Sequence, residues 1–165
     1  MYTDPDGRKI YISELDDTKY QKAKFALNEL MKTKRGAELI NKLHASSEKF
    51  YITINSEKDN YYDGNVIRWD PDCVGYTQEN EKLSSITLLG HELGHAEQDL
   101  DGELLSMNEL LASKMTSEEI TKYILKKENE NLEATEQPIA HERGDAERLD
   151  YTKPVVLKKE LLNYE

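Results

Sequence analysis

The sequence predicts a small α+β domain, mainly helical, with a short sheet packed against one central helix. Three observations carry this. Apolar residues recur at helical spacing from Asp16 to Met31 and again through Ala37, Leu39, Ile40 and Leu43. Two short runs, Phe50 to Asn55 and Asn65 to Trp69, have a strand-like pattern and are bounded by turn residues. The strongest apolar stripe lies beyond them, through Leu83, Ile86, Leu89, Leu93, Ala96 and Leu100. The 165 residues are the length of one ordinary domain, read as a single unit over 1–165 with residues 1–15 as a lead-in.

In the lead-in, Asp4-Pro5-Asp6-Gly7 is a turn signal, and Ile10 and Ile12 alternate as in a short strand. The first helix covers Asp16 to Met31, with Tyr20, Ala23, Leu27, Leu30 and Met31 on its apolar face. Thr33 to Gly36 reads as a break before the second helix. Ile52 and Ile54 share one face of the next strand. Ser56 to Tyr62 is polar and reads as a loop, and Asp63-Gly64 as a turn into the strand holding Val66, Ile67 and Trp69. Asp70-Pro71 ends that strand, and Asp72 to Glu81 reads as a loop. Ser84 or Ser85 caps the central helix and Gly102 stops it. Glu103 to Leu111 is ambiguous. Thr116 to Glu119 has the composition of a helix start. The polar stretch Lys126 to Glu136 lacks Gly and Pro. Pro138 and Gly144 punctuate the C-terminal part, and Val155 to Leu162 offers a last apolar segment.

Composition excludes several classes of function. No run approaches the ~18 apolar residues of a membrane span. The start has no basic region followed by an apolar run, so no signal peptide is expected. The single cysteine, Cys73, excludes an internal disulfide framework and any multi-cysteine metal site. A net charge of -11 repels phosphate backbones, so nucleic acid is not an expected partner.

The chemistry lies in His91-Glu92-Leu93-Gly94-His95. Imidazoles at i and i+4 stand one above the other on a helix, within reach of one Zn2+ at ~2.0–2.1 Å. The Glu after the first His projects beside the metal's open position, where it can take a proton from bound water. At ~100° per residue, His91 lies roughly 140–160° from the centre of the apolar stripe. The pair is therefore expected to face a groove and not the core. Gly90 and Gly94 each lower helix propensity by ~1 kcal/mol relative to Ala, which predicts close approach of another segment. A catalytic zinc needs a third protein ligand. The continuation HExxHxxGxxH fails at Gln98, where that pattern has Gly. His44 and His141 remain, as do the downstream acids Glu118, Glu119, Glu128, Glu130, Glu133 and Glu136, the arrangement of a zincin with Glu as third ligand.

The chain also resembles the NleD-like zinc metallopeptidases, bacterial effector and toxin proteases, over most of its length. The matching segments are Leu27 to Leu30 through Gly36, then Leu43 and Tyr51 to Ile54, and Asn65 to Pro71. They continue with Leu88 to Ala96 followed by Asp99-Leu100-Asp101-Gly102, and with Thr135-Glu136-Gln137, Ile139, Glu142, Gly144, Arg148 and Tyr151. Gln137 and Ala140 depart from the family's usual Asn and Arg. The resemblance implies a zincin-like fold with one Zn2+ per chain and a third ligand in the C-terminal block, Glu136 first and Glu133 next. It gives Arg148 and Tyr151 to substrate binding or oxyanion stabilisation. Asp4 to Arg8 resembles the junction that ends the Rhs-repeat core of polymorphic toxins.

The expected function is thus a zinc endopeptidase, delivered into a target cell as part of an effector or toxin, with His91 and His95 on zinc and Glu92 as general base. Its expected partners are a protein substrate and, for a toxin domain, an immunity protein. The strand of Ile52 and Ile54, or that of Val66 and Trp69, would offer an edge to which substrate adds. The alternatives are a zinc-stabilised binding module without proteolysis and a metallohydrolase of peptidoglycan peptides. The presence of Glu92 favours the enzyme, because a structural site does not need it.

Overall fold

A computed structural model describes residues 9–164. The turn at Asp4 to Gly7 and the junction-like Asp4 to Arg8 lie outside them. The chain forms β1 (Ile10–Ile12), α1 (Asp17–Met31), α2 (Lys34–Ala45), β2 (Phe50–Ile54), β3 (Tyr61–Asp63), β4 (Val66–Trp69), β5 (Cys73–Tyr76) and β6 (Lys82–Leu83). Then come α3 (Ser85–Leu100), α4 (Met107–Ala112), α5 (Ser117–Asn131), a π-helical turn (Leu132–Glu136), α6 (Gln137–Arg143) and β7 (Val156–Lys159). This is the expected mixed α and β architecture, with two small sheets where one was expected.

The first sheet has the order β1-β2-β4-β3, with β1, β2 and β4 parallel and β3 antiparallel to β4. Tyr61 and Tyr62, expected in a loop, are the first arm of a hairpin. Its turn residues Gly64 and Asn65 both have positive φ, 49° and 72°, the backbone a two-residue hairpin turn requires. The expected substrate edge is therefore corrected: β2 and β4 are both interior strands, and the edges of this sheet are β1 and β3. The second sheet, β6-β5-β7, draws its middle strand from the expected loop Asp72 to Glu81 and an edge from the last apolar segment.

The core lies between the first sheet and helices α1, α2 and α3. Phe50, Ile52, Ile67 and Trp69 meet Ala23, Ala26, Leu30, Leu39 and Leu43, and Ile86, Leu89, Leu93 and Ala96 pack on the same cluster. Trp69 donates its indole N–H to the carbonyl of Ser85 at 2.8 Å, which ties the sheet to the start of the central helix. The expected break between the first two helices falls at Lys32 and Thr33, and Thr33 caps α2, its hydroxyl accepting from the N–H of Gly36 at 3.0 Å. A Cβ on Gly36 would lie 2.1 Å from the carbonyl oxygen of Leu30, so Gly here lets the two helices meet at a tight corner. Capping boxes at Ser106/Glu109 and Thr116/Glu119 start α4 and α5. No helix among the described residues is long and apolar enough to cross a membrane.

Candidate metal centre

Helix α3 is buried on nearly every face from Ser85 to Ala96, which a one-sided stripe did not foretell. Its stripe faces the sheet as expected. The opposite face, with His91 and His95, is covered by α5, the π turn and the segment around Tyr151, so the histidines lie under protein and not in an open groove. His91 is 3% exposed. The glycines explain how α3 can be approached so closely. A Cβ on Gly90 would sit 2.8 Å from Cδ1 of Ile139, and one on Gly94 would sit 1.9 Å from Oδ1 of Asn131. The close approach expected from these two glycines is thus present.

Three ligand atoms converge. Nε2 of His91 and Nε2 of His95 are 3.1 Å apart, and Oε2 of Glu128 lies 3.0 Å from the first and 3.1 Å from the second. Ligands held tetrahedrally at ~2.0–2.1 Å from zinc stand ~3.3 Å from one another, so this triangle is close to metal-binding size. Among the described residues, His91, His95 and Glu128 are the one such group of His, Cys, Asp and Glu. The residues present fit a divalent cation held by two neutral imidazoles and a carboxylate.

The outer ring nitrogens are also engaged. Nδ1 of His95 is 2.8 Å from Oε1 of Gln98, whose Nε2 donates to the carbonyl of Lys127 at 3.1 Å. That arrangement puts the His95 proton on Nδ1 and leaves Nε2 free to bind metal. Nδ1 of His91 lies 2.8 Å from Oε2 of Glu136, a close polar contact that is not aligned as a hydrogen bond. Glu136 is fully buried, and Arg148 clamps it with Nε on Oε1 at 2.7 Å and Nη2 on Oε2. The guanidinium also lies over the Tyr151 ring, 4.9 Å from its centroid, and that ring stacks on the His91 imidazole at 5.8 Å.

The electrostatics favour added positive charge. Burial disfavours a charged His91, but the carboxylates of Glu128, Glu136 and Glu92 outweigh it and raise its pKa to about 10. Burial also pushes Glu128 and Glu136 upward. His91 and His95 overcome this at Glu128, and Arg148 and His91 at Glu136, so both pKa values are lowered to about 2 and both groups are ionised at neutral pH. Glu92 is 7% exposed, and burial raises its pKa against the pull of His91 and His95. Its carboxylate has no hydrogen-bond or ion-pair partner among the described residues.

The structure thus brings together His91, His95, Glu92, Glu136, Arg148 and Tyr151 from the sequence expectations, and adds Glu128 and Gln98. The acid whose oxygen converges with the two Nε2 atoms is Glu128. Glu136 faces the outer nitrogen of His91 and is held by Arg148, away from the Nε2 pair. Glu133 is exposed on the π turn. Arg148 is engaged with Glu136. Glu128 was among the candidate acids, but neither the spacing nor the resemblance singled it out.

A family model described as Peptidase_M91, effector protein, matches residues 6–151. No curated protein and no solved structure matches the chain. The match runs from the lead-in through α3 to Tyr151, so it takes in every residue of the centre described above. The chain belongs to the Peptidase_M91 family of effector proteins, and is a peptidase of the NleD-like type.

Proposed function

We propose that this chain is a zinc-dependent endopeptidase that acts on a protein of the cell into which it is delivered. The observation that carries the proposal is the triangle of His91 Nε2, His95 Nε2 and Glu128 Oε2, with the unpaired carboxylate of Glu92 on the next residue of the same helix. The family's description as effector proteins supports the delivery.

His91, His95 and Glu128 would hold one Zn2+, which supplies Lewis acidity and lowers the pKa of a bound water to ~7. Glu92 takes the proton from the attacking water and passes it to the leaving amine. Burial holds its pKa above the ordinary carboxylate range, which makes it a better proton acceptor than an exposed glutamate. Tyr151 donates from its hydroxyl to the oxyanion that develops on the scissile carbonyl. Burial and the charge of Glu128 push its pKa up to about 12, so the hydroxyl keeps its proton at neutral pH. Gln98 and Glu136 orient the two imidazoles, and Arg148 fixes both Glu136 and the Tyr151 ring.

The test is to map new protein N-termini in target-cell lysate treated with wild type or with Glu92→Gln, both zinc-loaded. New termini are expected with wild type alone. Equal cleavage by both proteins, or none by a wild type that carries zinc, contradicts the proposal.

A further inference from the structure

Helix α5, the π turn and α6 form one continuous run that delivers two carboxylates to the same imidazole. Glu128 reaches Nε2 of His91 and Glu136 reaches Nδ1. In a regular α-helix these positions, eight residues apart, would diverge by about 80° after two turns. The π turn removes that divergence. The N–H of Gln137 donates to the carbonyl of Leu132, five residues back, so one extra residue is absorbed. Counted as seven α-helical steps, the two glutamates fall within about 20° of each other.

Asn131 opens this turn and is 2% exposed. Its Nδ2 donates to the carbonyl of His91 at 2.8 Å. Its Oδ1 has no hydrogen-bond partner and occupies the space a Cβ on Gly94 would fill. The same amide thus touches the backbone of α3 at the first histidine and at the residue before the second. A buried oxygen without a partner is costly, so tight placement here comes at the expense of stability.

We infer that Asn131 is a positioning residue: seated against Gly94 and bonded to the His91 carbonyl, it sets the register at which the π turn holds Glu128 and Glu136 on opposite nitrogens of His91. The inference rests on the zinc reading above and adds a residue that binds neither metal nor substrate.

The test is a zinc-affinity measurement by chelator competition on wild type, Asn131→Ala, Glu136→Gln and the double variant, with folding followed by circular dichroism. Gly94→Ala is a second route to the same perturbation, because its Cβ displaces Asn131 without altering it. Asn131→Ala and Gly94→Ala should each leave the chain folded and weaken zinc binding about 10- to 100-fold, the usual loss when a group that orients a metal ligand is removed. Adding Glu136→Gln to Asn131→Ala should cost little more, because both act through the orientation of one ring. The Co2+-loaded forms should show shifted visible bands, which a purely structural role would not produce. If Asn131→Ala fails to fold, Gly94→Ala decides. Wild-type zinc affinity in a folded variant, or losses that simply multiply in the double variant, would overturn the inference. A wild type that takes up no zinc would remove the zinc reading and this inference together.

Discussion

Changing Glu128 to Gln and, separately, Glu136 to Gln should separate the metal ligand from its support. Both substitutions keep side-chain size and remove one negative charge. At Glu128 the change removes the carboxylate 3.0–3.1 Å from both Nε2 atoms. Zinc sites built from protein ligands bind with ~10–16 kcal/mol, so each of three ligands accounts for roughly 3–5 kcal/mol, or ~10²–10⁴-fold in affinity. At Glu136 the change removes only the contact to the outer nitrogen of His91, and an outer-shell partner accounts for about 10- to 100-fold. Competition against a fluorescent chelator at pH 7 reads both constants. Glu128→Gln should lose one to two orders of magnitude more than Glu136→Gln. The reverse order would return the third ligand to Glu136 and refute the assignment drawn from the triangle.

The same contacts give further expected outcomes. Tyr151→Phe keeps the ring stacked on His91 but removes the hydroxyl; kcat should fall ~10²–10³-fold with zinc content unchanged, and an unchanged kcat would remove Tyr151 from oxyanion stabilisation. Glu136 has a folded pKa of about 2 against an ordinary 4.5, so the stability it contributes is present above ~4.5 and lost as pH falls toward 2. That loss is on the order of 3 kcal/mol, and urea melts of chelator-treated protein from pH 6 to 3 should show a flatter decline for Glu136→Gln. Gly36→Ala should destabilise the chain by ~2 kcal/mol or more, because the new Cβ meets backbone at Leu30 and no side chain can move aside; a melt within ~0.5 kcal/mol of wild type would contradict this.

The central helix was legible in the sequence because two periodic signals coincide in it. Ile86, Leu89, Leu93 and Ala96 mark the face against the sheet, and His91 and His95 mark the opposite one. The burial of that second face was not legible, since the cover comes from Glu128 and Asn131 on a helix whose own pattern is mostly polar. Those polar side chains are directed at α3 and not at solvent. Only Gly90 and Gly94 signalled the cover, by leaving room for Ile139 and Asn131. The approach of Glu128 to His91 was hidden by the π turn, because counting along a regular helix does not place Glu128 and Glu136 on the same imidazole. β3 and β5 were missed for another reason. Tyr61 to Asp63 and Cys73 to Tyr76 are too short to show a period, and their pairing depends on partners supplied by β4 and β7. Gln98 was noticed only as a departure from another motif, whereas its amide orients His95.

The most direct test of the centre is anomalous scattering at the zinc edge from crystals of the zinc-loaded chain. One peak should appear per chain, ~2.0–2.2 Å from Nε2 of His91, Nε2 of His95 and the carboxylate of Glu128, with Glu92 outside the ligand set. A peak coordinated by Glu136 or Glu92 in place of Glu128, or no peak at the His91–His95 pair after zinc loading, would contradict the assignment.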